Sequence, residues 1–232
     1  MGSLLLAAAF FVAIHLGISG TPLRDKLVRR IGEGPYTGVF SLASFAGMGC
    51  LIASYGSARV GASLLWFAPG WLVLAGAPLM AVAVLAVVLG LTTPSPTLAQ
   101  VDAMALARPE PAQGVLRITR HPFLMGTSLF AVFHAVVNGD TASLVLFGAL
   151  LLVCLAGAPS IDAKRARKHG EVWARFADKT SIVPFAAIAR GKNQLVLGEI
   201  AWWQWVAALG AYAALVWAHP RLFGAWAIPG LG

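Results

Sequence analysis

The chain has 232 residues, of which 59% are hydrophobic and 11% charged, with a mean hydropathy of +0.79. That balance excludes an ordinary soluble domain, where roughly a quarter of the residues carry charge. The formal charge of +8 sits in connecting segments without an aromatic-studded basic domain, which argues against nucleic acid as a partner.

A helix needs about 20 mostly apolar residues to cross a bilayer core. Six stretches offer such runs: roughly 3 to 19, 37 to 56, 71 to 91, 122 to 137, 141 to 159 and 200 to 219. They are continuous and rich in Ala, Leu and Gly, without the period of two that a membrane strand requires. The sequence therefore predicts an all-α integral membrane protein, with about six transmembrane helices in one bundle and a single domain over residues 1–232. Polar segments at about 92–121 and 160–199 are expected in the cytoplasm. The first run lacks a basic leader and a small-residue cleavage site, so it reads as a retained span.

Lys and Arg set the expected orientation. Arg24, Lys26, Arg29 and Arg30 follow the first span, Arg108, Arg117 and Arg120 follow the third, and eight basic residues lie between the fifth and sixth. Fifteen of the 17 thus fall on one side, with Arg59 and Arg221 on the other. Positive charge stays cytoplasmic, which predicts periplasmic termini in a bacterial inner membrane and an attraction to anionic lipids. Trp66, Trp71, Trp202, Trp203, Trp217 and Trp226 fall near span ends, as interfacial anchors do. Cys50 and Cys154 lie in separate apolar runs without metal-ligand spacing.

The stretch from 92 to 120 holds four prolines and predicts a loop with a short helix around Val101 to Ala107. The later segment IDAKRARKHGEVWARFADKTSIVPFAAIARGKNQ begins as a basic helix and breaks at Pro184, with Trp173 and Phe176 sharing a face. That face suits the membrane surface, or a lid over a cytoplasmic-side pocket. NGD at 138–140 reads as a tight turn, with Gly139 relieving the backbone and Asp140 given no catalytic part.

Three of the five histidines stand out: His15 inside the first span, His121 at the head of the fourth and His134 inside it. A polar group within a span needs a partner, and a cofactor is one such partner. Imidazoles from two helices of a bundle can hold a haem between them. Alternatively, each makes an interhelical hydrogen bond. Thirteen residues amount to about 19.5 Å of helix rise, so His121 and His134 cannot reach one iron from the same helix. By depth alone, His15 pairs with His121. Arg117 and Arg120, with Arg24, Arg29 and Arg30, offer forks for carboxylates such as haem propionates or an amino-acid headgroup. Pro122 suits the first turn of a helix whose free backbone donors face that side.

The stretches FFVAIHLGISGTPLRDKLVRRIGEGPYTGVFSLASF, TRHPFLMGTSLFAVFHAVVNGD and IDAKRARKHGEVWARFADKTSIVPFAAIARG, in that order and spacing, resemble the NnrU family across nearly the whole chain. NnrU proteins are bacterial membrane proteins associated with nitric oxide and nitrite metabolism in denitrifiers. They are related to the 15-cis-zeta-carotene isomerases of plants and cyanobacteria, which carry haem b. The resemblance implies that His15 and His134 correspond to haem-ligand positions. His121 would be a further functional histidine, acting as a gate, a propionate contact or a third ligand. Where the isomerase pattern has a Cys one turn before the second ligand, this chain has Ala131, so the resemblance implies no switch to a thiolate. RHP followed by a basic helix also resembles the membrane methyltransferases that use S-adenosylmethionine. In that reading Arg120 and His121 hold the cofactor's amino-acid part, although only Asp162 and Glu171 stand where a Glu pair is usual. A noncatalytic sensor or assembly factor is the third alternative.

Overall fold

All regular elements among the described residues, 1–98 and 101–228, are helices in the computed structural model. Each of the six expected spans coincides with one. Residues 99 and 100 of the expected 92–120 loop lie outside the described residues. Contacts group the chain into two units: Met1–Pro69 with Ala131–Ser160, and Gly70–Phe130 with the chain from Ile161 onward.

In the first unit, helix α1 (Gly2–Val12) passes without a break into a π-helical segment, Ala13–Ile18. Leu4, Ala7, Ala8, Phe11 and Ile14 are its buried positions, spaced as one helical face. Thr21 then caps α2 (Pro22–Ile31), its hydroxyl oxygen accepting from the Leu23 amide while its proton goes to the Gly17 carbonyl. Helix α3 (Glu33–Val60) packs on α1 at Gly47, where a Cβ would stand 3.2 Å from a ring carbon of Phe10. Close approach at small residues is how helices associate where lipid removes the hydrophobic drive.

Helices α7 (Pro122–Asn138) and α8 (Thr141–His169) are joined by the predicted NGD turn. Gly139 has φ +64°, and a Cβ there would collide with the Trp66 carbonyl. The Gly139 carbonyl accepts from the Leu65 amide at 2.8 Å, and Trp66 Nε1 donates to Val136 O at 2.7 Å. Asp140 caps α8 through the Ser143 amide and hydroxyl at 2.8 and 2.7 Å, so its carboxylate has a structural task. Helix α8 extends past the expected span end at residue 159, running through Pro159 to His169, so the fifth span and the basic helix after it are one element.

In the second unit, α4 (Gly70–Thr92) meets the first half of α7 at two glycines. A Cβ on Gly126 would lie 2.7 Å from the Ala83 carbonyl oxygen, and one on Gly90 would strike the Phe123 amide. Helix α11 (Trp202–Phe223) runs beside α4 in the opposite sense. Gln204 donates to Thr92 and Thr93 near one end, and Tyr212 donates to the Ala77 carbonyl further along.

Short helices α5 (Asp102–Leu106), α6 (Val115–Ile118), α9 (Glu171–Lys179) and α10 (Ala186–Ala189) complete the unit, α5 falling where the sequence predicts it. Trp173 and Phe176 of α9 do share a face, but they are 3% and 1% exposed, packed against Leu89, Leu106, Leu116 and Ile200. The face expected to lie on the membrane surface is therefore core. An amphipathic helix binds whichever apolar surface is nearest, and here its own chain supplies one.

Among the described residues, α3, α4 and α8 are long and apolar enough to cross a membrane. A fourth crossing results if Gly2–Ile18 and Pro22–Ile31, bent by 80°, form one broken span. Helix α7 is shorter, and α11 is diluted by Trp, Gln and His. Gly126→Val should lower stability in detergent by about 2 kcal/mol through overpacking against α4. Gly148→Ala, on α8 with nothing within 4 Å of its Cβ position, should leave it unchanged. Paired thermal melts of the two variants check this.

Candidate functional site

Backbone hydrogen bonding of the i to i+5 kind opens the helix around His15, the Ser19 amide reaching Ile14 O at 3.0 Å. Such π segments inside helices frequently mark functional positions. The His15 ring is half-buried, 4.2 Å from the Phe11 ring and 5.2 Å, edge-on, from Phe40. Nδ1 lies 2.8 Å from Phe11 O. A carbonyl can only accept, so Nδ1 carries the proton and Nε2 presents a lone pair, the tautomer a metal-binding imidazole adopts when its other nitrogen is anchored.

His134 belongs to the same unit as His15. Its ring lies 5.6 Å from Phe133 and 5.1 Å from Phe147. Phe147 in turn meets the ring of Tyr55, whose hydroxyl is 2.8 Å from Ser143 Oγ, so the Asp140 cap and the His134 surroundings form one network. Ala131, three residues before His134, is fully buried. Imidazole donors and aromatic rings, the side-chain types that hold a b-type haem, are thus both present in this unit.

His121 sits elsewhere, in the second unit, and its side chain is 1% exposed. Its Nε2 donates to Asp162 Oδ1 at 2.7 Å, since an ionised carboxylate only accepts. Arg120 takes the other oxygen, with Nε and Nη2 at 2.8 and 2.6 Å from Oδ2, and sends Nη1 to the Thr180 carbonyl at 3.0 Å. Pro122 begins α7 as expected, while the residues before it are strapped by the 180–185 segment. The Arg120 amide donates to Ser181 O, Thr119 Oγ1 to Ile182 O and the Phe185 amide to Ile118 O, with Phe185 at φ +64°.

Arg117 and Arg24 are likewise matched to carboxylates of the chain. Arg117 forms a fork on Glu199, 2.7 Å through Nε and 2.7 Å through Nη2, and the Gly114 amide shares Glu199 Oε2. The hydrogen bond to Glu199 raises the Arg117 pKa above its ordinary value, and its converse holds the Glu199 carboxyl below the usual range. Arg24 reaches Asp25 and Glu33 at 3.4 and 3.2 Å.

Sequence reasoning missed one cluster. Arg165, Lys168 and His169, on one face of the last turns of α8, converge on Asp102 Oδ2 at 3.0, 2.9 and 2.6 Å. Their spacing of three and four is visible in the sequence. The acceptor, at the start of α5 more than sixty residues earlier, is not. Burial pushes the Asp102 carboxyl up, but the bonds from His169 and Lys168 and the charges of Arg165 and Lys168 outweigh it and hold the pKa at about 2. No group of three or more His, Cys, Asp or Glu among the described residues could hold a metal ion without further ligands.

The NnrU protein family matches the chain over residues 3–227. A chloroplastic 15-cis-zeta-carotene isomerase of Arabidopsis thaliana is 30% identical over 115 residues, covering 48% of this chain and 31% of that protein. A protein of the same name from Zea mays is 32% identical over 82 residues, covering 35% and 22%. The aligned region thus spans less than a third of either relative. No solved structure matches the chain.

The Asp102 cluster sets an acid limit. With a folded pKa of about 2 against an ordinary 3.8, its contribution is complete above about pH 4 and is lost as the pH falls through 2. Asp102→Asn should cost about 2 kcal/mol at neutral pH, because it removes the charged acceptor on which three donors converge. It should also flatten the decline in stability between pH 4 and 2, read by denaturation across pH.

Proposed function

Because this chain belongs to the NnrU family, we propose that it is a multi-pass membrane haem protein, holding haem b in its first unit through His15 and His134 and serving redox-linked chemistry of the isomerase kind. The observation that carries this reading is the π-helical setting of His15, whose Nδ1 is bonded to Phe11 O and whose Nε2 is thereby prepared as a ligand. When bound, a haem iron supplies a one-electron couple tuned by its axial ligands and by burial. The two isomerase relatives support an apolar substrate whose double-bond geometry changes, while the family's association with nitrogen-oxide metabolism supports a setting in denitrification. In this reading His121 is a positioning residue, since its Nε2 is committed to Asp162.

Purified in detergent, the protein should show a Soret band. His15→Ala or His134→Ala should abolish most of it, whereas His219→Ala, whose ring bonds to Ala225 O near the end of α11, should retain it. Equal haem content in all three variants would overturn the ligand assignment. His169 is no neutral control, because it belongs to the Asp102 cluster.

The same reading keeps the basic segments cytoplasmic in a bacterial inner membrane. Arg120 and Asp162 are in hydrogen-bond contact, so the chain from α7 through α8 leaves and returns to one side of the membrane. Helix α8 is long and apolar enough to cross. Helix α7, at about 25 Å for its 17 residues, must then cross as well. Helix α11 is carried across by its antiparallel contact with α4. In a background lacking Cys50 and Cys154, Arg190→Cys should react with a membrane-impermeant thiol reagent only in inverted vesicles, and Arg59→Cys only in right-side-out ones.

A further inference from the structure

Tyr36 lies in the first turn of α3 and is only 7% exposed, yet its hydroxyl has no hydrogen-bond partner. Buried hydroxyls are nearly always paired, because burial without a partner costs free energy that a phenylalanine would not incur. The hydroxyl thus keeps a donor that no group of the chain uses.

Its neighbours indicate what could use it. The Tyr36 ring is stacked on Phe40 with centroids 6.1 Å apart, and Phe40 in turn meets the ring of His15 at 5.2 Å. The Arg24 guanidinium stands over the Tyr36 face, 5.4 Å from its centroid. The ion pairs of Arg24 to Asp25 and Glu33 are long, 3.4 and 3.2 Å, and both carboxylates are about half exposed, so Arg24 can exchange them for a better acceptor. A ring stack thus links the prepared imidazole to a phenol donor and a guanidinium at the charged end of the helix.

We propose that Tyr36 and Arg24 form a carboxylate-anchoring subsite for the ligand that His15 holds, the phenol donating a hydrogen bond and the guanidinium supplying countercharge. The ligand class is a large apolar ring system carrying a carboxylate arm, which for haem b is a propionate. This inference rests on the haem reading above.

The test titrates haem b, and separately haem dimethyl ester with its carboxylates capped, into the haem-free protein in detergent. It compares wild type with Tyr36→Phe. The variant should bind haem b about tenfold more weakly, the loss of one hydrogen bond to a charged acceptor. Its Soret position should be unchanged, and it should bind the ester as well as wild type does. Its haem-free form should melt at the wild-type temperature or a few degrees higher, since the removed hydroxyl satisfied nothing. Arg24→Gln should weaken haem b in the same way. Wild-type affinity of Tyr36→Phe for haem b would overturn the subsite while leaving the His15 and His134 assignment standing. So would a lower melting temperature of the haem-free variant, which would make the hydroxyl structural, or an equal loss with the ester. Absence of any haem binding by the wild type would remove both.

Discussion

An ionised carboxylate inside a chain this apolar has to be matched on both oxygens, and Asp162 is. His121 occupies one through Nε2 and Arg120 the other through Nε and Nη2. Removing any one member would leave a buried charge or donor unmet, which is why such a group behaves as a unit. Its reach extends past the three side chains. Holding Arg120 and His121 fixes the two residues before α7, and the Arg120 amide and the Thr119 hydroxyl fix the 180–185 strap. That strap leads on to the Asn193 amide, which bridges the Arg117 and Lys179 carbonyls. Much of the polar order in the second unit is thus traceable to the need to neutralise one carboxylate.

The helices were legible because a membrane leaves the backbone little choice: with no water to bond to, apolar runs must satisfy their own peptide groups, and the six runs in the sequence are six helices. The turn at Gly139 was legible for a local reason, since Asn-Gly-Asp demands a positive φ at glycine. What the sequence could not supply was partnership at a distance. Asp162 was weighed only as half of an acidic pair, although its partners, 41 and 42 residues earlier, had already been singled out for other tasks. His169 carries no local sign of its partner, because Asp102 lies 67 residues before it. Pro159 and the charges after it mark the end of the fifth apolar run, but the helix itself continues beyond them. A proline removes one hydrogen bond, and Asp162 and Arg165, which follow it on α8, find partners within the chain. Tyr36 gave no sign at all in the sequence, since a tyrosine becomes conspicuous only when its hydroxyl is seen to be buried and unmet.

Pairing with carboxylates also sorts the histidines in a way that spacing alone does not. His121 and His169 each give Nε2 to a carboxylate, at 2.7 and 2.6 Å, and both carboxylates are further held by arginine. An imidazole in that position is oriented by its carboxylate, and metal binding through Nε2 would have to break the bond. His15 is anchored through Nδ1 to a backbone carbonyl and walled by Phe11 and Phe40. The anchor fixes the ring without consuming the nitrogen that faces outward from its helix, and aromatic walls favour a flat apolar guest over water.

Helix α3 shows how these polar requirements coexist with a lipid environment. Its outward positions are large and apolar, with Val39, Leu42 and Phe45 all more than 60% exposed, while its inward positions include Tyr36, Gly47 and Leu51. In water, burying Phe45 rather than Tyr36 would be the favourable choice, but lipid is as apolar as a protein core and offers no gain for it. The helix therefore has no hydrophobic reason to choose the face it turns inward. That choice falls to close packing at Gly47 and to ring contacts that continue from Tyr36 through Phe40 to His15. The inward face of α3 is thus set by contacts of the same kind that a ligand beside His15 would extend, and filling that site should reinforce the helix pairing rather than compete with it.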